Sequence, residues 1–170
     1  LRLQFNGGIA LRVDGVAVDP SEKIVYRGMM FSGVPNFFFA SGYTNASWTL
    51  KVDLSAQALC RLLREMDARG ASAVCPRWRE GDATERLLDF SSGYIVRNLA
   101  TMPKQGSARP WKMHQNYFLD MLDLRWSSFD DGVLEFRHLG GGESREGVVL
   151  PDVVHVPVGI RDQVLRTVEI

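Results

Sequence analysis

The stretch GVPNFFFASGYTNASWTLK, from Gly33 to Lys51, holds the residues whose types and spacing are best suited to binding chemistry. An apolar run from Phe37 to Ala40 gives way to small and polar residues, and a helical pattern follows. Thr44, Asn45 and Ser47 are N-cap types, whose side-chain oxygen accepts from the unpaired amides of a first helical turn. A helix N-terminus gathers free N–H groups and a partial positive charge. The turn Tyr43, Thr44, Asn45, Ala46, Ser47 can therefore receive a phosphate, a carboxylate or the electron-rich edge of a heterocycle. In open α/β sheets ligands sit beyond the carboxyl ends of strands, where this turn would lie. Most such junctions bind nothing, so on local sequence alone the empty reading is favoured.

A second chemical pattern spans Phe90 to Leu119, where Arg97, Lys104, Arg109, Lys112 and His114 alternate with Tyr94, Trp111, Tyr117 and Phe118 and no carboxylate intervenes. Cations among aromatics can track a single-stranded nucleic acid or a dinucleotide phosphate. The competing reading, a solvated face whose aromatics pack inward, is favoured by the charge balance: 20 basic against 20 acidic residues leave no long-range field to steer a polyanion. His114, His138 and His155 have no metal-ligand spacing, and Cys60 and Cys75 form no C-x-x-C pair, so no metal site is expected and the cysteines read as reduced, cytoplasmic thiols. No G-x-S-x-G hydrolase motif occurs. G-x-G-x-x-G is also absent, so the phosphate-binding turn of a complete dinucleotide fold is missing.

The elements that must position these residues follow from periodicity. With 45% hydrophobic and 24% charged residues in 170 positions, the composition suits one modest folded domain and excludes global disorder. No apolar run approaches the roughly 20 residues that cross a bilayer, and Leu1 to Ala10 carries no export pattern. Alternating apolar residues on either side of Asp14-Gly15 predict a type I′ hairpin. Two strands are predicted at Ile24 to Phe31 and Asn36 to Ala40, the second apolar enough for a parallel sheet covered on both faces. A helix is predicted from Ala46 to about Arg69, burying Val52, Ala56, Leu59, Leu63 and Met66, with Lys51, Asp53 and Arg61 largely off that stripe and Gly70 as its stop. Pro76 and Gly81 mark a polar link. Two further helices, Ser92 to Ala100 and Gln115 to Leu124, would flank a Pro and Gly rich loop. The segment from Gly140 onward predicts at most an edge strand.

YRGMMFSGVPNFFFASGYTNASWTLKVDL, CRLLREMD, LLDFSSGYIVRNL, MPKQGSARPW and QNYFLD, in that order, resemble the C-terminal portion of flavin-containing monooxygenases, in the Baeyer–Villiger branch that includes the ethionamide-activating enzymes. The similarity is dense from about Gly7 to Leu124. It implies an α/β fold, a C-terminal fragment of a Rossmann-like flavoprotein with two dinucleotide-binding domains. Residues 1–70 would complete the FAD domain, 71–139 would form a helical appendage, and 140–170 would be a tail of open function. It also implies FAD and NADPH as cofactors and insertion of one oxygen atom from O2 into a ketone, or onto a soft sulfur or nitrogen atom. By the same resemblance Tyr43, Thr44, Asn45, Ala46 and Ser47 would lie at the isoalloxazine edge, which raises the ligand reading of that turn above the empty one. The family's two glycine motifs and its F-x-G-x-x-x-H-x-x-x-W fingerprint do not occur here and are expected upstream of Leu1, and no residue can be matched to its catalytic arginine. The chain alone is therefore expected to be inactive. Two rivals stand beside this: a non-catalytic binding or interaction module that kept the fold, and a single-stranded nucleic-acid binder acting through Arg97 to Lys112. The resemblance itself implies no nucleic-acid partner.

Overall fold

The computed structural model describes Phe5 and residues 9–87 and 101–138. The chain opens with the expected hairpin, β1 (Arg12–Val13) against β2 (Val16–Ala17). Asp14 and Gly15 both adopt positive φ, 52° and 79°, which a type I′ turn requires at its two central positions.

The next predicted strand is two. β3 (Val25–Tyr26) and β4 (Met30–Phe31) pair antiparallel across a three-residue loop in which Arg27 and Gly28 take φ of 49° and 71°. Apolar residues on both sides of Arg27-Gly28 made the stretch read as one strand. Its one cation, Arg27, is held inside the protein rather than on a wet face. A Cβ on Gly28 would lie 3.1 Å from Met113 Sδ and 3.4 Å from Lys51 Cε, so close packing as well as backbone conformation requires glycine here.

The stretch Asn36 to Ala40 does not become a doubly covered parallel strand. Phe38 makes one antiparallel bridge to Met30, and the Phe39 N–H donates to Met29 O at 3.0 Å. Asn36 instead ties the stretch to β5 (Ala73–Pro76): its amide N–H donates to Val74 O at 3.0 Å, and its Oδ1 accepts from Val74 N–H at 2.9 Å. All four sheets among the described residues are antiparallel pairs: β1 with β2, β3 with β4, β5 with β8 (Leu134–Arg137), and β6 (Thr84–Arg86) with β7 (Lys104–Gly106). Phe37 and Phe39 pack with Phe31, Val25 and Val34 in a small second core. A strand apolar on both faces needs neighbours on both edges, and the described residues supply one bridge.

Helix α1 runs Trp48–Ala68, two residues later than the start predicted from periodicity, and ends at Gly70 with φ 64°. It buries Lys51, Leu54, Ser55, Ala58, Leu62 and Met66, whose i, i+3, i+4 spacing makes one stripe. That stripe lies roughly a quarter turn from the predicted one, since each residue advances the helix by about 100°. Of the predicted set only Met66 is fully buried; Ala56 is exposed. The rotation is explained by Lys51, which turns inward to meet an acid on the second helix.

The supposed polar link holds strand β5 and, after a turn at Gly81, β6 (Thr84–Arg86). Their partners are β8 (Leu134–Arg137) and β7 (Lys104–Gly106), the latter inside the predicted Pro and Gly rich loop. Pro76 closes its strand without donating, and its carbonyl accepts from Gly33 N–H at 2.8 Å. Helix α2 (Tyr117–Trp126) matches the prediction within two residues. Asn116 caps it, accepting from Phe118 N–H and Leu119 N–H at 3.0 and 3.2 Å. The Ser92 to Ala100 helix and the segment from Gly140 lie outside the described residues. The main core joins α1, α2 and the β3–β4 hairpin through Tyr26, Met30, Leu54, Ala58, Leu62, Val74, Trp111 and Leu124.

Candidate functional site

The turn before α1 is held on three sides. Ser41 Oγ donates to Gly28 O at 3.0 Å, fastening the turn's entry to the β3–β4 loop. Gly42 lies flat against the Trp48 indole, and a Cβ there would overlap the ring. From the far side comes Gln115, itself at φ 53° just before the α2 cap. Its Oε1 accepts from Thr44 N–H at 3.0 Å and from Thr44 Oγ1 at 3.2 Å, and its carbonyl accepts from Asn45 Nδ2 at 3.0 Å.

Thr44 and Asn45 are thus gathered around one residue that sequence reasoning did not single out. Ala46 and Ser47 stand exposed at the helix start. Ser47 occupies the N-cap position, but its hydroxyl pairs with Thr49 Oγ1 at 2.8 Å rather than with a backbone amide. The first-turn amides therefore lack a side-chain cap.

Beneath the turn lies a buried charge cluster. Tyr43 is 3% exposed, and its hydroxyl sits by the Asp120 carboxylate outside hydrogen-bonding geometry. Lys51 Nζ is 3.3 Å from Asp120 Oδ2 and 5.9 Å from the Tyr43 ring centroid. Asp120 Oδ1 accepts from His114 N–H at 3.1 Å. Burial pulls the Lys51 pKa down, and Asp120 opposes that by favouring the charged form. A lysine on the row of Leu54, Ser55, Ala58 and Leu62 was the available signal for this pair. Farther along, Arg27 spans Ser128 O at 2.7 Å and Asp131 Oδ2 at 3.1 Å, and Phe129 lies between the guanidinium groups of Arg27 and Arg61 at 5.1 and 5.2 Å.

Burial also pushes the phenol pKa of Tyr26 and Tyr43 above the usual value. A raised folded pKa gives stability that is present below the ordinary tyrosine pKa of about 10 and is lost as pH rises beyond it, because the unfolded chain ionises first. Urea midpoints measured from about pH 9 to 11 should fall more steeply for the wild type than for Tyr26→Phe. Comparing the two cancels the opposite contribution of Lys51, whose lowered pKa makes stability rise as pH approaches the ordinary lysine value.

The basic and aromatic segment is drawn apart. Lys112 Nζ pairs with Glu85 at 3.0 Å, Arg109 Nε donates to His114 Nε2 at 3.2 Å, and Trp111 is buried edge-on against Tyr26 and Trp78. Tyr94 and Arg97 lie outside the described residues. Cys60 and Cys75 are buried free thiols, and burial raises the Cys75 pKa. No group of three potential metal ligands occurs among the described residues, and no described helix is long and apolar enough to cross a membrane.

Three buried polar atoms in and beneath the turn lack hydrogen-bond partners: Gln115 Nε2, Tyr43 Oη and, beside the tyrosine, Asp120 Oδ2. The uncapped amides at the start of α1 are donors of the kind that the carbonyl and nitrogen acceptors of a flavin ring could meet. A pyrophosphate would need a glycine-rich cradle that the sequence lacks.

No protein-family model matches the chain, and no solved structure matches it significantly. Among curated proteins, "Probable FAD-binding monooxygenase AlmA" of Acinetobacter baylyi is 48% identical over 141 residues, covering 80% of this chain and 28% of that protein. "FAD-containing monooxygenase EthA" of Mycobacterium tuberculosis is 44% identical over 137 residues, with the same coverages. EthA of Mycolicibacterium smegmatis is 44% identical over 138 residues, again covering 80% and 28%. The chain spans little more than a quarter of the length of these relatives. Across four fifths of its length, this chain is related to the FAD-containing monooxygenases and corresponds to a piece of them.

Proposed function

We propose that the chain is the C-terminal part of an FAD- and NADPH-dependent monooxygenase, and that the turn from Tyr43 to Ser47 lies against the isoalloxazine edge. Residues 1–70 complete the FAD domain, 71–139 form an appendage to it, and the protein works in the cytoplasm. The reaction consumes NADPH, a proton and O2. One oxygen atom enters a ketone, or adds to a sulfur or nitrogen centre, and the other leaves as water. FAD, when bound, supplies the redox chemistry and the activation of oxygen.

This chain's own residues bind and orient. The uncapped amides at the start of α1 would hold the flavin ring edge and favour negative charge there. Thr44 and Asn45 keep the turn in place through Gln115. The Lys51–Asp120 pair fixes α1 against α2 and excludes water from beneath Tyr43. The observation that carries this reading is the 42–48% identity, over 80% of the chain, to proteins named as FAD-containing or FAD-binding monooxygenases.

The test is to purify the product of the whole reading frame that encodes this chain. It should carry flavin absorbance, released on denaturation, and oxidise NADPH with uptake of O2 when given ketones or thioethers. A flavin-free product, inert to NADPH even after incubation with FAD, would overturn the proposal.

A further inference from the structure

We infer that the outward face of α2 is a docking surface for an apolar surface on the part of the same polypeptide that precedes Leu1. This rests on the reading that the chain is the C-terminal part of a longer monooxygenase, and deepens it by naming where the two parts meet.

The helix is built inside out. Both of its carboxylates are buried: Asp120 is 2% and Asp123 4% exposed, the first facing Lys51 and the second accepting from Ser127 Oγ at 3.1 Å. Phe118, Leu119, Leu122 and Trp126 are instead 70, 41, 48 and 60% exposed. At about 100° per residue these four fall within an arc of roughly 100°, so they form one stripe along the helix. Its other side is apolar too, since Leu124, Met121 and Tyr117 pack into the main core. A helix that is apolar all round belongs where it is covered all round, and a contiguous apolar stripe left in water marks an interaction surface. The remaining charge on α2, Arg125, borders the stripe and lies 5.8 Å from the Trp126 ring. No carboxylate stands on the outward side to oppose apolar docking.

Size and kinship select the occupant. Covered by a matching surface, four such side chains bury on the order of 900 Å² in total, below the roughly 1,200 Å² at which stable association of separate molecules begins and within the roughly 600–1,500 Å² that joins two parts of one chain. Covalent linkage lets so small a patch suffice, because it holds the partner surface at high effective concentration. More than two thirds of each relative lies beyond the matched region, which is ample chain to supply that surface. Gln115, two residues before the helix, holds Thr44, so the docked surface lies beside the turn proposed to meet the ring.

The experiment uses the product of the whole reading frame that encodes this chain. Hydroxyl-radical labelling, read by mass spectrometry, compares the native and urea-unfolded protein. Phe118, Leu122 and Trp126 should be oxidised about tenfold or more slowly in the native state, at concentrations where sedimentation shows a monomer. Phe118→p-benzoylphenylalanine then identifies the occupant: on irradiation it should cross-link within one chain to a peptide upstream of Leu1. The labelling needs no variant, so it decides even if the substituted protein fails to fold. Oxidation of the native stripe within about twofold of the unfolded rate would overturn the inference and leave the monooxygenase reading standing. So would cross-links confined to residues 1–170, or cross-links between two chains. A reading frame with no coding sequence before Leu1 would overturn the inference and the reading together.

Discussion

Replacing Asp120 with alanine should lower the free energy of unfolding by about 3–5 kcal/mol, because removing one partner of a buried ion pair strands the other's charge. The Lys51 and Asp120 side chains are only 1% and 3% exposed, with Nζ and Oδ2 3.3 Å apart, so solvent cannot replace the lost partner. The His114 amide loses its acceptor as well. The double variant Lys51→Met, Asp120→Leu should recover most of the loss, since an apolar pair of similar volume carries no desolvation penalty. The pH dependence has a definite sign. Burial already lowers the Lys51 pKa, and without Asp120 the lowering deepens. The unfolded chain then binds the extra proton, and the variant's deficit shrinks as pH rises toward the ordinary lysine value. Urea unfolding followed by circular dichroism measures all three. A loss under about 1 kcal/mol for Asp120→Ala, the worth of a surface pair, would show that the pair is not buried in solution.

Arg27→Ala should cost a similar amount, about 3–5 kcal/mol. The guanidinium is buried in the β3–β4 loop. Its forks reach Ser128 O, Asp131 Oδ2 and, at 3.3 Å, Asp123 O, and its face packs on Phe129. Asp131 also accepts from the Tyr26 hydroxyl, so the loss reaches the main core. Arg27→Lys should retain under half of the difference, since a point-like ammonium cannot span three acceptors in fixed directions or stack on a ring. Wild-type stability in Arg27→Lys, by the same urea unfolding, would mean that charge alone matters there.

The local features were legible in the sequence, and the long-range ones were not. The Asp14-Gly15 hairpin, the Gly70 stop and helix α2 are set by residues next to one another in the chain, and the structure has them where composition and periodicity put them. Strand β5 was not legible because its partner lies some sixty residues on, so Pro76 read as a breaker when it only ends a strand. The buried face of α1 was misjudged for a chemical reason. A lysine on a helix normally marks the wet side, and Lys51 is buried only because Asp120 arrives from another element. The same holds at the site. Tyr43 to Ser47 could be named from their neighbours, whereas Gln115 is an unremarked polar residue until the chain returns and places it over Thr44.

The central claim is that this turn meets the flavin ring while the cofactor's phosphates lie beyond the reach of the chain. Titrating the isotopically labelled chain in parallel with FAD, riboflavin and lumiflavin, the bare ring system, while following backbone amide signals tests it most directly. The account predicts shifts at Thr44 and Asn45 with all three ligands, and affinities that agree within about twofold, since one ring contact is shared and no phosphate contact is added. Affinity that rises tenfold or more from lumiflavin to FAD, or shifts that miss the turn, would contradict it.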